Sequence, residues 1–230
     1  MASTPHIVFH TGGPAFHPVA DQADAFTRWL GGGYRCTRRD GLAAFDLLAD
    51  ADLLVVMGLH WTGMTADWAG SLAYEPMGGR QQAALEAFAA AGKPILAHHG
   101  GIASYDDWPR FRELVGFGWV WGTTNHSPKG DYRVEVHDTG HPVVAGVEPF
   151  GVYDELYYDV WTPDDADLTV HAHADWDGAA RPMVMTSTGV GGGRRCYLAN
   201  GHDMKAFEPD AMRKLWVNAV RWLLEEPNDE

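Results

Sequence analysis

Four pairs of polar residues in this sequence could do chemistry: His60-Trp61, His98-His99, Asp154-Glu155 and His202-Asp203. Imidazole and carboxylate donors gathered from distant parts of a chain are the material of divalent transition-metal sites. Histidine is also the usual proton carrier near neutral pH, and His202 beside a carboxylate has the make-up of an oriented general base. No compact ligand spacing such as H-E-x-x-H occurs, so spacing alone does not select a metal. Taken singly, each pair has a plain alternative: a solvated acidic loop for 154–155, a helix-entry turn for 202–203. Trp61, Trp119, Trp121, Tyr157 and Tyr158 could stack on a sugar ring, although aromatics on a sheet more often fill core.

The stretch K-P-I-L-A-H-H-G-G at 93–101 organises the rest. Its apolar run is too short for a helix and reads as a buried strand bounded by turn residues. In open α/β sheets ligands sit beyond the carboxyl ends of the strands, which is where His98 and His99 fall. Neighbouring side chains on a strand point opposite ways, so one of the two rings is expected to face the site. The two glycines permit a sharp strand-to-helix elbow of the kind that presents a nucleophile, here with an imidazole in place of Ser or Cys. A structural histidine beside a flexible turn is the plain alternative.

The elements that would carry these residues alternate between strand and helix. Strands are expected at 6–10, 34–37, 51–57 and 95–97, the third apolar enough to be central in a parallel sheet. Helices are expected at 21–30, 79–91 and from Pro109 onward, with a short helical segment at 42–48. A loop carrying His17 follows the first strand, and a long loop spans 58–78, a length more often functional than filler. From 118 the pattern turns to strands, at 119–121, 132–137, 152–160, 168–174, 182–188 and 194–200. A closing helix at 209–224 carries Met212, Leu215, Trp216, Ala219, Val220 and Leu223 in one apolar stripe. The fold class is therefore α/β, a three-layer, mainly parallel sheet flanked by helices with antiparallel extensions, in a single domain over residues 1–230. The acidic end, 225–230, is expected to fray.

Composition bounds the function. A chain of 230 residues with 46% hydrophobic and 21% charged residues can bury a large core. A formal net charge of −14 argues against nucleic acid, which needs a basic face. No apolar run reaches 18 residues and no signal-peptide pattern opens the chain, so no membrane partner and a cytoplasmic location are expected. The two cysteines, Cys36 and Cys196, fall in expected strands and fit a reducing compartment. Twelve histidines and ten tryptophans are the unusual entries.

Several stretches together resemble the trehalose-utilisation (ThuA-like) family: H-H-G-G-I-A-S-Y-D-D-W-P-R-F-R-E-L-V-G at 98–116, G-H-P-V-V-A-G-V at 140–147, V-Y-D-E-L-Y-Y at 152–158 and G-G-G-R-R-C-Y-L-A-N-G-H-D at 191–203. The resemblance covers roughly residues 50–224. It implies a fold similar to class I glutamine amidotransferases, with His99 at the position of their nucleophilic Cys and His202 at that of their late His. Without a thiol at the elbow, a covalent thioester mechanism has no nucleophile. The resemblance further implies sugar catabolism in which a hydroxyl is first oxidised to a ketone, hence a small carbohydrate substrate, a keto-sugar or keto-glycoside. A divalent transition metal (zinc, manganese, cobalt or nickel) suits such chemistry, with His99, His202 and His98 as candidate ligands. Glu155, His202 and Asp154 are the candidate catalytic groups, with Glu155 removing the proton beside the ketone and His202 protonating the leaving oxygen. His60, Trp61, Tyr157 and Trp121 are candidate substrate contacts. A metal-free hydrolase and a non-catalytic carbohydrate-binding subunit stand as alternatives, a homo-oligomer is an open expectation, and the role of His17 is left open.

Overall fold

Short aliphatic runs with no polar face can be satisfied only at the centre of a sheet covered on both sides, and two such runs, at 53–56 and 95–97, lie side by side in the middle of this structure. The computed structural model describes residues 4–65, 73–164 and 167–225. Its strands are β1 (His6–Thr11), β2 (Arg35–Asp40), β3 (Leu53–Val56), β4 (Ile95–His98), β5 (Asn125–His126), β6 (Gly130–Val136), β7 (Phe150–Asp154), β8 (Tyr157–Tyr158), β9 (Thr169–Trp176), β10 (Ala179–Thr188) and β11 (Arg194–Leu198). Helices are α1 (Val19–Leu30), α2 (Gly79–Ala90), α3 (Arg110–Val115) and α4 (Asp210–Leu223). Nine strands form one sheet in the order β2-β1-β3-β4-β11-β10-β9-β6-β7. The first five run parallel, and every pairing from β11–β10 onward is antiparallel. Strands β5 and β8 make a separate two-stranded ribbon.

The order reverses at β1, with β2 on one side and β3 on the other. Right-handed crossovers therefore put α1 and α2 on opposite faces. Helix α1 packs on α4 through the stacked rings of Phe26 and Trp216, 3.3 Å between centroids. The expected apolar stripe of α4 is buried along its whole length. Upstream of β7, a short 3₁₀ turn at Pro142–Val144 is clasped to α4. The Asn218 amide donates to the carbonyl of Ala145 at 2.9 Å, and the His141 ring caps the Val143 N–H at 3.2 Å. This is the structural job of the G-H-P-V-V-A-G-V stretch, because it fixes where β7 begins.

Two expectations are corrected. Residues 119–121 are not a strand but a turn, with Thr124 N–H donating to the Val120 carbonyl at 2.9 Å. The local pairing is a single bridge between Gly118 and Trp161. The strand expected over 152–160 breaks at Glu155 and Leu156, and its halves, β7 and β8, join different sheets. Cys36 and Cys196 are both free, in β2 and β11 as expected. The middle of the 58–78 loop (66–72), residues 1–3 at the N-terminus and the acidic tail at 226–230 lie outside the described residues. No described helix is long and apolar enough to cross a membrane.

His98 closes β4 on the helix side of the sheet. Its ring lies edge-on to Trp216, Phe26 and Phe207 at 5.0, 5.6 and 5.9 Å, and neither nitrogen has a hydrogen-bond partner among the described residues. Burial, with the neighbouring His99 adding to it, pushes its pKa well below the ordinary histidine value. A depressed histidine binds its proton in the unfolded chain before the folded one. Its contribution to stability is thus complete above about pH 6.5 and is lost as pH falls below it, at about 1.4 kcal/mol per pH unit per proton. His98→Leu is expected to match or exceed wild-type stability at pH 7.5 and to lose less between pH 6.5 and 5, read from urea midpoints. An unchanged pH slope would place the acid sensitivity elsewhere.

Candidate functional site

The elbow after β4 is where the sequence placed chemistry, and its backbone is strained as that role requires. His99 sits at φ +39°, a left-handed conformation that non-glycine residues rarely hold. A Cβ at Gly100 would come within 2.8 Å of the His17 ring, so the close approach of these two segments depends on glycine. His99 Nδ1 lies 2.7 Å from the Ala199 carbonyl, which can only accept. The proton is therefore on Nδ1, and in the neutral ring Nε2 carries a lone pair. That Nε2 is buried with no hydrogen-bond partner and lies 4.0 Å from Glu155 Oε2.

Three other strand ends supply the rest. His17 comes from the loop after β1, Glu155 from the break after β7, and His202 from the turn after β11. His17 Nε2 and His202 Nδ1 are 3.1 Å apart, and His202 Nδ1 is 3.0 Å from Glu155 Oε2. One donor atom from each of His17, His99, Glu155 and His202 lies within 4.8 Å of the other three. Ligands bound tetrahedrally at 2.0–2.1 Å stand about 3.3 Å from one another, close to the 3.0 and 3.1 Å pairs, while the 4.0 Å His99–Glu155 pair would have to draw in around an ion. The backbone carbonyl on the far nitrogen of His99 is the usual outer support of a ligating histidine. The residue set could therefore hold a metal ion.

Electrostatics agree. Burial, then the neighbouring His99, His202, His98 and His126 rings, depress the pKa of His17 well below the ordinary value. Burial likewise lowers that of His99, against the pull of Asp154 and Glu155. Both rings are thus neutral, the ligating form. Burial alone would raise Glu155, but the His202 hydrogen bond and the His99 and His126 rings outweigh it and hold its carboxyl below the usual range.

Asp154, expected as a catalytic group, does something else. Its buried carboxylate accepts from the backbone N–H of Gly201 at 2.7 Å and of His202 at 2.9 Å, and from the Asn200 amide at 3.1 Å. Asn200 also donates to Tyr132 Oη at 2.7 Å, and that hydroxyl donates to the Glu155 carbonyl at 3.1 Å. Asp154 is thus a positioning residue that sets His202 against Glu155.

Above the cluster opens a cleft of about 420 Å³ lined by Trp61, Trp121 and Tyr157, as expected, and also by Phe16, Trp119 and His126. His60 is not among its lining residues. Its Nε2–H donates to the Thr11 carbonyl at 2.9 Å and its ring stacks on Tyr105, so it is a packing residue of the neighbouring loop. His98 is no ligand either, because strand alternation turns it into the α1–α4 layer, away from His99. The strand-end rule that picked out His99 could have found His17, which follows β1. His126, 3.6 Å from Glu155 through Nδ1, sits on a two-residue strand that leaves no periodic trace in the sequence.

A parallel sheet with a strained elbow after its fourth strand, and a late histidine beside it, defines a protein of the class I glutamine amidotransferase-like fold. The family model described as Trehalose utilisation (ThuA) matches residues 8–223, and the chain belongs to that family, which gives it a role in carbohydrate utilisation. A ThuA-like protein from Bacteroides uniformis is 21% identical with a TM-score of 0.70, the match covering 97% of this chain and 93% of that one. A second, from Parabacteroides merdae, is 15% identical with a TM-score of 0.75 over 98% and 91% of the two chains. A glutamine amidotransferase from Thermotoga maritima is similar in fold at 10% identity and a TM-score of 0.53, covering 98% of this chain and all of that one. No curated protein sequence matches the chain.

Asp154→Asn keeps the shape but points N–H groups at N–H groups. It is expected to cost on the order of 2–4 kcal/mol in urea unfolding, while Asp203→Asn, at a partly exposed 3₁₀ cap, costs under about 1 kcal/mol. Equal costs would show that the 154–202 clamp is not special.

Proposed function

We propose that this protein is a carbohydrate-processing enzyme that cleaves or converts a ketone-bearing sugar at a divalent-metal site. The observation that carries the reading is the meeting of three imidazoles and one carboxylate at the carboxyl edge of the sheet, with His99 held in its ligating tautomer. His17, His99 and His202 would hold the ion, with Glu155 Oε2 beside them; zinc, manganese, cobalt and nickel all suit such donors. When bound, a divalent ion supplies Lewis-acid polarisation of the ketone and charge stabilisation of the enediolate beside it.

The chain's own groups do the rest. Glu155, kept ionised by its histidine neighbours, takes the proton from the carbon next to the ketone. Electrons of that C–H bond form a carbon–carbon double bond and expel the glycosidic oxygen. His202 was expected to protonate that oxygen, but its Nδ1 is engaged with His17 and Glu155. His126 takes this role in our reading, as the imidazolium: its Nδ1–H stays on the Ser127 carbonyl at 2.8 Å, its Nε2–H gives its proton to the leaving oxygen, and its ring lines the cleft. The buried inner wall of Tyr157 and Trp119 shields the floor from water and borders the sugar. Family membership supports the carbohydrate, and the cleft supports a small one.

The purified protein is expected to gain thermal stability with at least one of zinc, manganese, cobalt and nickel, and His17→Ala to lose that gain. The effect should fade below about pH 6.5, where imidazoles protonate. Absence of bound metal by elemental analysis, with no thermal shift, would favour a metal-free hydrolase.

Turnover is expected for 3-keto glycosides and not for their unoxidised parents, since only a proton beside a carbonyl is acidic enough for Glu155. Glu155→Gln should lower kcat on the order of a hundredfold or more with the fold intact. Equal rates on oxidised and plain sugars would overturn the ketone step, and sugar binding without turnover would indicate a non-catalytic subunit.

A further inference from the structure

The cleft above the cluster is polar at one end only. His17, Glu155, His202 and His126 lie at the floor, whereas the wall of Leu59, Trp61, Ala103, Trp119 and Trp121 offers no side-chain polar atoms except indole N–H groups. Those donate and cannot accept. Among the described residues no Lys or Arg lines the cleft, and the one acidic lining residue is Glu155.

The wall is continuous and graded. Tyr157 lies over His99 at 4.2 Å, Trp119 meets Tyr157 edge-on at 5.0 Å, Trp121 follows at 5.5 Å, and Trp61 backs Trp121 in a stack of 4.2 Å. Exposure rises outward along it, from 1% at His99 through 5% at Tyr157 and 9% at Trp119 to 46% at Trp121. Opposite stands Phe16, 38% exposed and parallel to the His202 ring at 5.8 Å.

From this polarity we infer that the ligand is an uncharged glycoside with an apolar, flat aglycone, its sugar at the histidine–glutamate floor and its aglycone against Trp121. This deepens the proposed function and rests on it for the reacting sugar unit. At the half-exposed outer wall a second sugar would keep its hydroxyls hydrated and meet no side-chain acceptor on the indoles, so it would gain little there beyond its C–H face. A phosphate on the outer part of the sugar would lie against a wall with no Lys or Arg among its described lining residues to receive it. An aromatic aglycone meets neither obstacle and gains an offset stack on a half-exposed indole whose other face is already covered. Trp121 is the specificity residue of this reading.

The test is equilibrium binding by calorimetry, on the intact protein, of phenyl glucoside, methyl glucoside, trehalose and glucose 6-phosphate, each plain and, where prepared, as its 3-keto form. Phenyl glucoside should bind tighter than methyl glucoside by on the order of tenfold or more, with trehalose no better than methyl glucoside and the phosphate weakest. In Trp121→Ala the phenyl-to-methyl ratio should fall toward one, and Trp121→Phe should restore much of it. Equal affinity for phenyl and methyl glucosides, tighter binding of trehalose or the phosphate, a ratio unmoved by Trp121→Ala, or no binding of any glycoside would each overturn the inference. Because binding is read without turnover, a phenyl preference with no cleavage of the keto forms would sink the reaction and leave the ligand class standing.

Discussion

The Asp154 carboxylate holds the site together. It is buried at the end of an antiparallel strand, and its hydrogen bonds run to the turn after a parallel one. A buried carboxyl group cannot stay without hydrogen-bond partners, so β7 and the Asn200–Gly201–His202 turn must meet. Because Glu155 follows it directly, whatever fixes Asp154 also fixes where Glu155 leaves the strand. Tyr132 and Asn200 close the loop by holding the Glu155 carbonyl. The parallel half of the sheet supplies the histidines, the antiparallel half supplies the acid, and this one group couples them. The clasp of residues 142–145 on α4 acts one step further out, by setting the start of the strand that carries Asp154.

Much of this was legible because it rests on local rules. Apolar runs of four to six residues ending in polar pairs gave β1, β3 and β4, and the stripe of α4 was read residue by residue. His99 and His202 were found by their place at strand ends, and Glu155 only as half of a carboxylate pair, since the expected 152–160 strand ran through it. What failed depended on three dimensions. Asp154 looked like a catalytic acid because a sequence does not say which backbone N–H groups will face a carboxylate. The tryptophans at 119 and 121 alternate as a strand would, yet serve as a cleft wall on a turn, since both a strand and a wall require spaced aromatics. His60 stands beside Trp61 in the chain and parts from it in space, one turning to Thr11 and Tyr105, the other to the cleft. His98 was named a ligand although the alternation rule already sent one of the two rings away.

The histidine cluster also explains why a strongly acidic protein can hold so many buried imidazoles. His10, His17, His98 and His99 all have pKa values driven down by burial, so none brings a charge into the core at neutral pH. Neutral rings close together neither repel nor need counter-ions, and their lone pairs remain open to an electrophile. The single carboxylate among them stays ionised by accepting from His202. The His99 Nε2 lone pair and the Glu155 carboxylate face one another across the site, an arrangement suited to a cation or to a proton that arrives with the substrate.

The elbow shows how the fold was turned to this use. In class I amidotransferases that position presents a thiol to a carbonyl, which requires a nucleophile that leaves its strand at a strained angle. The strain is retained here at His99, yet neither free thiol can replace the missing one. Cys196 lies fully buried within β11 with its pKa pushed up by burial, and Cys36 is raised for the same reason in β2. A raised thiol is a poor nucleophile, and neither cysteine is among the residues lining the cleft. What the elbow offers instead is a lone pair on Nε2, aimed toward Glu155 and fixed by the Ala199 carbonyl behind it. A thiol there would form a bond to its substrate; an imidazole there, in the function proposed above, would hold an ion that acts on it. In that reading the same backbone geometry serves positioning in place of attack.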